Sequence, residues 1–394
     1  MRALNVLQQA LSADLSALHS QRRQAVFRAV AGLMNGGRLW LTALGRALPG
    51  TCHDKHRIKA VDRLLGNRRL HEEVPIFYRG LTRWLLRKTR RPIVLVDWTG
   101  VGPRRCAITA AVAFRGRALP ILSHVHPIHD YHARHAQQDF VRALREILPT
   151  GCTPTMVTDA GFHFLWFDAV RQQNWNFVGR LRGKRMLRSG QCKTSLKALH
   201  ERASSASQDV GVWQISQYAS TPYRIVLAAK KPCRGRKRLT RSRRTPGRGS
   251  TDKTSSRGAR EPWVLATSLK QAPSEIVAIY GKRMQIEEGY RDLKNHRHGW
   301  SLNDIRCRSE ARIEVMLMLA ALANVALHIV GLAAEQQQLQ RRFQANTVSH
   351  RRVLSSFLLG RLVISRRLEL PDGVFARAKA LLLTIIAQPA PRPP

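Results

Sequence analysis

Apolar positions along the first 90 residues recur every three or four residues, as in KHRIKAVDRLLGNRRLHEEV, which is the spacing that gives a helix one buried face. Breaks at Pro49 to Thr51 and at Gly66 to Asn67 divide this region into several helices. From Arg91 the texture changes. PIVLVDWTG, CAITAAVAF and RALPILSHV are continuous apolar runs of strand length with Gly116 between the last two, so they predict a three-strand meander. An amphipathic helix, QQDFVRALREIL, comes next. It is followed by a strand in PTMVTDAG, a helix in LWFDAVRQQN and a strand in NFVGRLR. Three strands followed by alternating helix and strand indicate a mixed α/β sheet covered by helices.

Residues 184–262 interrupt that alternation with strand-like pieces, VWQISQY and PYRIVLAAK, and then a run from Lys230 to Arg260 rich in Gly, Ser, Thr, Pro and basic residues. So few apolar residues and so much positive charge predict a loop that is disordered or ordered only by nucleic acid. WVLATSL restores a strand at Trp263, and PSEIVAIYGKRMQIEEGYRDLK predicts one helix through Lys294. The insertion therefore splits a core domain into 91–183 and 263–300. Beyond Gly299 the pattern is helical to about residue 385, which makes 301–394 a helical C-terminal domain ending in an unstructured tail, AQPAPRPP.

Charge narrows the function. Lys and Arg number 67 against 25 Asp and Glu, a formal net charge of +42, which self-repels unless a polyanion neutralises it. Nucleic acid is the partner this implies, and the helices of 1–90 fit a DNA-binding domain. Ordinary basic surface helices are the alternative there, since no fixed helix-turn-helix spacing is visible. The six cysteines contain no C-x-x-C pair, which disfavours a zinc ribbon or a disulfide scaffold. No secretion signal is evident at the N-terminus, and a reducing cytoplasm fits. One segment, Val315 to Ala334, is long and apolar enough to span a bilayer. Asn324 and His328 interrupt it and Arg312 and Glu314 precede it, which favours a buried helix over a membrane span.

Acidic residues are scarce, so their positions are informative. Asp97 and Asp159 each end a buried strand, where an ionised carboxylate is costly unless it holds a cation. On a helix turning about 100° per residue, Arg283, Glu287 and Lys294 lie within about 60° of Tyr280, while Glu288 and Asp292 lie about 80° and 120° round the other way. A face bearing a carboxylate, two cations and a phenol suits divalent metal and phosphate oxygens together, which favours Glu287 over Glu288. A solvated helix held by Arg283–Glu287 pairing is the alternative.

These residues carry a resemblance. Tyr280, Arg283, Glu287 and Lys294 match the Y-x2-R-x3-E-x6-K signature of insertion-sequence transposases of the IS-four family, and Asp97 in LVDW and Asp159 in VTDAGF resemble its two aspartate motifs. Similarity extends through LGRALPG, RLRGK, EPWVLATSL and FQANTV, and so over most of the chain. The resemblance implies an α/β, ribonuclease-H-like catalytic domain with a β-rich insertion, flanked by helical N- and C-terminal domains. It further implies a bacterial DNA transposase acting on terminal inverted repeats and target DNA, as a homodimer in the DNA complex and without a membrane. Asp97, Asp159 and Glu287 would be the catalytic carboxylates and would bind two Mg²⁺ ions, with Mn²⁺ as a substitute. Tyr280, Arg283 and Lys294 would hold phosphates near the transferred end. Trp263, in EPW, resembles the aromatic on which hairpin-forming relatives stack a flipped base, although a Trp that opens a buried strand is usually core.

The segment HVHPIHDYHARHAQQDF, with histidines at 124, 126, 129, 132 and 135, matches no family motif. It reads as a basic, weakly titrating surface loop, with zinc binding as the alternative. Two rival functions share parts of the pattern: a structure-selective nuclease on the same fold, and a non-catalytic DNA-binding repressor.

Overall fold

The computed structural model describes residues 2–215, 221–229, 261–348 and 351–388. The basic run 230–260 and the last residues of the tail lie outside them. Two compact units emerge. The first takes in the described residues of Met1–Val157, Gln173–Trp175 and Lys282–Pro389, and the second those of Thr158–Gln172 and Asn176–Gly281.

In the first unit five helices come before the first strand: α1 Arg2–Leu11, α2 Ser20–Met34, α3 Leu41–Ala47, α4 Asp54–Leu65 and α5 Arg68–Leu86. The break at Gly66 and Asn67 is a cap. The Asn67 side chain accepts the Leu70 N–H at 3.2 Å, satisfying one of the orphan donors of the α5 N-terminus. Leu70, Val74, Phe77, Leu81 and Leu85 then recur on one buried face of α5.

The meander follows as β1 Ile93–Val101, β2 Arg105–Phe114 and β3 Arg117–Pro127, antiparallel, with Asp97 opposite Thr109. Arg115 and Gly116 both have positive φ (46° and 81°) and link Phe114 to its partner Arg117, as a two-residue type I′ hairpin requires. Helix α6 Arg134–Ile147 packs on β2 and β3. Strand β4 Thr155–Thr158 lies beside β1, so the order in this unit is β3-β2-β1-β4. The Thr153 N–H donates to the Arg90 carbonyl (2.7 Å) and the Thr155 N–H to the Pro92 carbonyl (2.9 Å). Both partners advance by two residues in the same direction, the pattern of a parallel pair.

The second unit begins at the last residue of β4. It continues through α7 Phe164–Gln172, β5 Asn176–Leu181, β6 Met186–Ser189, β7 Cys192–Ser195, α8 Leu196–Glu201, β8 Gln208–Trp213, β9 Tyr223–Leu227, β10 Val264–Thr267 and α9 Pro273–Gly281. Its strands run β5-β10-β9-β8, antiparallel, beside a β6-β7 hairpin. Phe167 of α7 stacks on Phe177 of β5 with centroids 4.6 Å apart. Gly179 makes room for it, since a Cβ there would lie 2.3 Å from the Phe167 ring.

Back in the first unit come α10 Met284–Lys294, α11 Glu310–Gln336, α12 Ser356–Ser365 and α13 Val374–Ala387. The helix expected over 273–294 is therefore two, α9 and α10. Gly281 ends the first, and Lys282 and Arg283 form a turn whose carbonyls accept from Gln285 (2.9 Å) and Ile286 (3.2 Å), a fresh i→i+3 start. Helix α11 contains the apolar segment Val315 to Ala334, which is buried throughout inside the first unit and packs on α2, α5, α12, α13 and β3. Its two polar members are both buried: His328 Nδ1 lies 2.8 Å from Ser356 Oγ, while Asn324 Oδ1 meets no hydrogen-bond partner among the described residues. Gly331 and Gly360 let α11 and α12 touch backbone to backbone, for a Cβ on either would fall 1.8 Å or 2.2 Å from a carbonyl oxygen of the other helix.

Candidate active site

Helix α10 packs on β1, β2 and β3 by burying Ile286, Tyr290 and Leu293 at helical spacing. Its start beside β1 brings Arg283 to two carboxylates. Arg283 Nη1 lies 3.6 Å from Asp97 Oδ2, and Nη2 pairs with Glu287 Oε1 one turn along. Asp97 is 9% exposed, and its Oδ1 accepts the Trp98 N–H at 2.8 Å. The hydroxyl of Tyr290 donates to the Asp97 main-chain carbonyl at 2.8 Å. Lys294 Nζ sits 6.0 Å from the Tyr290 ring centre, and burial lowers its pKa while the Asp97 charge pulls it back up. Arg283, Glu287, Tyr290 and Lys294 follow one another at intervals of four, three and four residues, a single stripe aimed at Asp97.

The neighbouring acids belong to a different system. Glu288 pairs with Arg291 at 2.7 Å and with Arg117 at 3.6 Å, and Arg117 Nε holds Asp292 at 2.6 Å. Burial raises the Asp292 pKa, and Arg117 opposes that. Arg117 thus joins α10 to the start of β3 on the side away from Asp97.

In the second unit Asp159 follows β4, half-buried, with Oδ1 accepting the Gly161 N–H at 2.8 Å. Tyr280 is buried in α9, and its ring meets Trp263 edge-on with centroids 4.8 Å apart. Trp263 is only partly buried. Its carbonyl accepts the Ala228 N–H at 2.8 Å, which ties its backbone to the strand beside it. The turn at Lys282 and Arg283 interrupts the single helix that the angular count from Tyr280 to Arg283, Glu287 and Lys294 assumes, so that count holds only within α10. The phenol on the stripe is Tyr290. Its spacing three residues after Glu287 was the available signal, and attention to the signature alone passes over it.

Two carboxylates sharing one guanidinium form a place for a cation, with hard oxygen donors of the kind divalent Mg²⁺ or Mn²⁺ takes. Asp97 and Glu287 have the donor chemistry such an ion takes, and in this structure both pair with Arg283. Among the described residues no group of three or more His, Cys, Asp or Glu side chains gathers as a metal site.

The histidine segment departs from a solvated loop at its first members. His124 packs on Phe140 and burial pushes its pKa down to about 4, and His126 packs on Trp98 with its pKa also lowered by burial. Both belong to β3, whose end is covered. His129 and His135 flank Asp130 at 3.8 Å and 3.7 Å.

The family model of the transposase DDE domain matches residues 88–325, which run from just before β1 into α11 and take in Asp97, Asp159 and Glu287. The chain belongs to this family. No curated protein matches it. A transposase of this family acts on DNA, and the family in general uses divalent metal ions. The carboxylate pair on β1 and α10 therefore stands within the matched region, in a protein whose excess of basic residues suits a DNA substrate.

Proposed function

We propose that the chain is a cut-and-paste transposase of the IS-four group, similar to the transposase of the tetracycline-resistance composite transposon. The catalytic domain would be ribonuclease-H-like, formed by 91–183 and 263–300, with 184–262 as its insertion and 1–90 and 301–394 as helical domains for DNA binding and dimerisation. The antiparallel β3-β2-β1 meander with β4 parallel beside β1 supports that fold. The observation that carries the reading is the division of acids on α10: Glu287 shares Arg283 with Asp97, whereas Glu288 and Asp292 are tied to Arg117.

In this reading one strand at each element end is hydrolysed, the freed 3′-hydroxyl attacks the opposite strand to close a hairpin, water reopens it, and the 3′ end joins target DNA. Asp97, Glu287 and, by its motif, Asp159 would hold two Mg²⁺ ions, which supply Lewis-acid stabilisation of the phosphoryl oxygens when bound. The protein's own groups do the positioning. Arg283 and Lys294 offer cations to phosphate oxygens, and Arg283 can exchange a carboxylate for a phosphate without losing a charge-assisted contact. Trp263 presents a partly exposed indole for stacking on an unpaired base, with Tyr280 packed against it.

The test is to incubate the purified protein and Mg²⁺ with linear DNA carrying the element's own terminal repeats. Hairpin ends and joined products are expected. Nicks without hairpins would instead make it a structure-selective nuclease, and tight binding without cleavage a repressor.

A further inference from the structure

Tyr290 lies outside the residues that the signature assigns, yet it makes a direct hydrogen bond between the helix of Glu287 and the strand of Asp97. Its ring is buried, and its hydroxyl spans from α10 to the main-chain carbonyl of Asp97 itself at 2.8 Å. One turn before it is Glu287 and one turn after it is Lys294, whose ammonium faces the ring. A small shift of α10 along β1 would therefore change the Asp97 to Glu287 spacing first. Such a shift is also resisted by the Arg283–Asp97 ion pair at 3.6 Å, by apolar contacts of Ile286 and Leu293 and by the ion pairs of Arg117 on the far side, of which only the Arg283 pair also reaches Asp97. Apolar contacts slide at little cost, whereas a hydrogen bond from a rigid phenol fixes both distance and direction.

We propose that Tyr290 is a positioning residue, whose bond to the Asp97 carbonyl sets the separation of the Asp97 and Glu287 carboxylates and so their affinity for a divalent cation. This rests on the reading of those two carboxylates as metal ligands. Outer-shell groups that orient ligands typically change metal affinity by about 10-fold or more when removed.

The experiment titrates the full-length protein with Mn²⁺ alone, followed by electron paramagnetic resonance, for wild type, Tyr290→Phe, Asp97→Asn and Tyr223→Phe. Tyr290→Phe keeps the ring and loses the hydroxyl. Tyr223→Phe removes another buried tyrosine hydroxyl bond, to Asp168 at 2.5 Å in the second unit, and is the control for general loosening. The expected result is Mn²⁺ binding weakened about 10-fold in Tyr290→Phe and unchanged in Tyr223→Phe, with a slower cleavage rate but unchanged DNA affinity in Tyr290→Phe. Wild-type Mn²⁺ affinity in Tyr290→Phe, with binding lost in Asp97→Asn, overturns the positioning role alone. Wild-type affinity in Asp97→Asn, or no Mn²⁺ binding by the wild type, overturns the ligand reading and this inference with it. Equal weakening in Tyr290→Phe and Tyr223→Phe would reduce Tyr290 to a packing residue.

Discussion

Replacing Glu287 and Glu288 in turn by glutamine separates chemistry from stability, because the structure gives the two residues similar energetic weight but different partners. Glu288 is partly exposed and pairs with Arg291 at 2.7 Å and Arg117 at 3.6 Å. Pairs of this exposure contribute about 0.2–1 kcal/mol each, and Arg117 keeps Asp292 at 2.6 Å after the change, so the loss should be about 1 kcal/mol. Glu287 has 42% of its side chain exposed and pairs with Arg283 at i, i+4, a contact of about 0.3–0.5 kcal/mol. Arg283 keeps Asp97 at 3.6 Å when Glu287 is neutralised. Both variants should therefore melt within a few degrees of wild type, on the basis of about 2–4 °C per kcal/mol for a unit of this size. Cleavage should differ far more. Loss of one preorganised group stabilising transition-state charge costs about 10²–10³-fold, or about 3–4 kcal/mol, so Glu287→Gln should nick end-labelled duplex at under a hundredth of the normal rate. Glu288→Gln should nick within about twofold of wild type, since a stability change of that size leaves the folded fraction near one. The assay is a time course of nicking in Mg²⁺ with DNA affinity measured alongside, because affinity from phosphate contacts should be unaltered in both. An inactive Glu288→Gln beside an active Glu287→Gln would refute the assignment.

Three further outcomes are expected. Trp263→Ala should nick at close to the normal rate but accumulate nicked ends without hairpins, since a partly exposed indole is available for stacking worth about 1–3 kcal/mol per base; parallel loss of both products with a large fall in melting temperature would make it a core residue. Gly331→Ala places a Cβ where the Ser356 carbonyl oxygen now lies 1.8 Å away, so α11 and α12 must separate, and urea unfolding should show a loss of at least about 1–3 kcal/mol; an unchanged midpoint would contradict the close backbone crossing. Burial depresses the His328 pKa from 6.5 to about 3, so the unfolded chain takes up a proton below about pH 6.5 that the folded chain refuses. The stability it contributes is present above pH 6.5 and is lost as pH falls towards 3, so His328→Gln should flatten the pH dependence of the urea midpoint in that window, and an unaltered slope would count against a neutral buried imidazole.

Much of the first unit was readable from apolar pattern. The runs around Asp97 are continuous because β1 and β2 are buried on both faces, and Gly116 marked the hairpin because only positive φ closes it in two residues. Helix α11 was recognisable as a helix, but its surroundings were not. Uniform apolarity says only that every face meets something other than water, and it took α2, α5, α12, α13 and β3 to supply that. Periodicity likewise showed which face each N- and C-terminal helix buries and left open what each buries it against.

Around α10 the sequence separated the faces of the acids and not their contacts. Helical angle separated Glu287 from Glu288 because both lie on α10, where the helix is regular. The same angle does not carry back to Tyr280, since a turn at Lys282 and Arg283, which nothing in GKR announces, interrupts the helix. What the angle could not show is that the selection rests on shared cations. In a chain with so few acids, each carboxylate near α10 is assigned by the arginine that reaches it. Arg117, anchored at the start of β3, takes Glu288 and Asp292, while Arg283, at the head of the stripe, takes Asp97 and Glu287. Guanidinium placement therefore divides these acids into two separate ion-pair systems. The distinction has a physical basis. Arg117 holds Asp292, whose side chain is 16% exposed and whose pKa is raised by burial, so that carboxylate is packed away. Arg283 holds a carboxylate with 42% of its surface open, from which it can be drawn away by a phosphate of opposite charge.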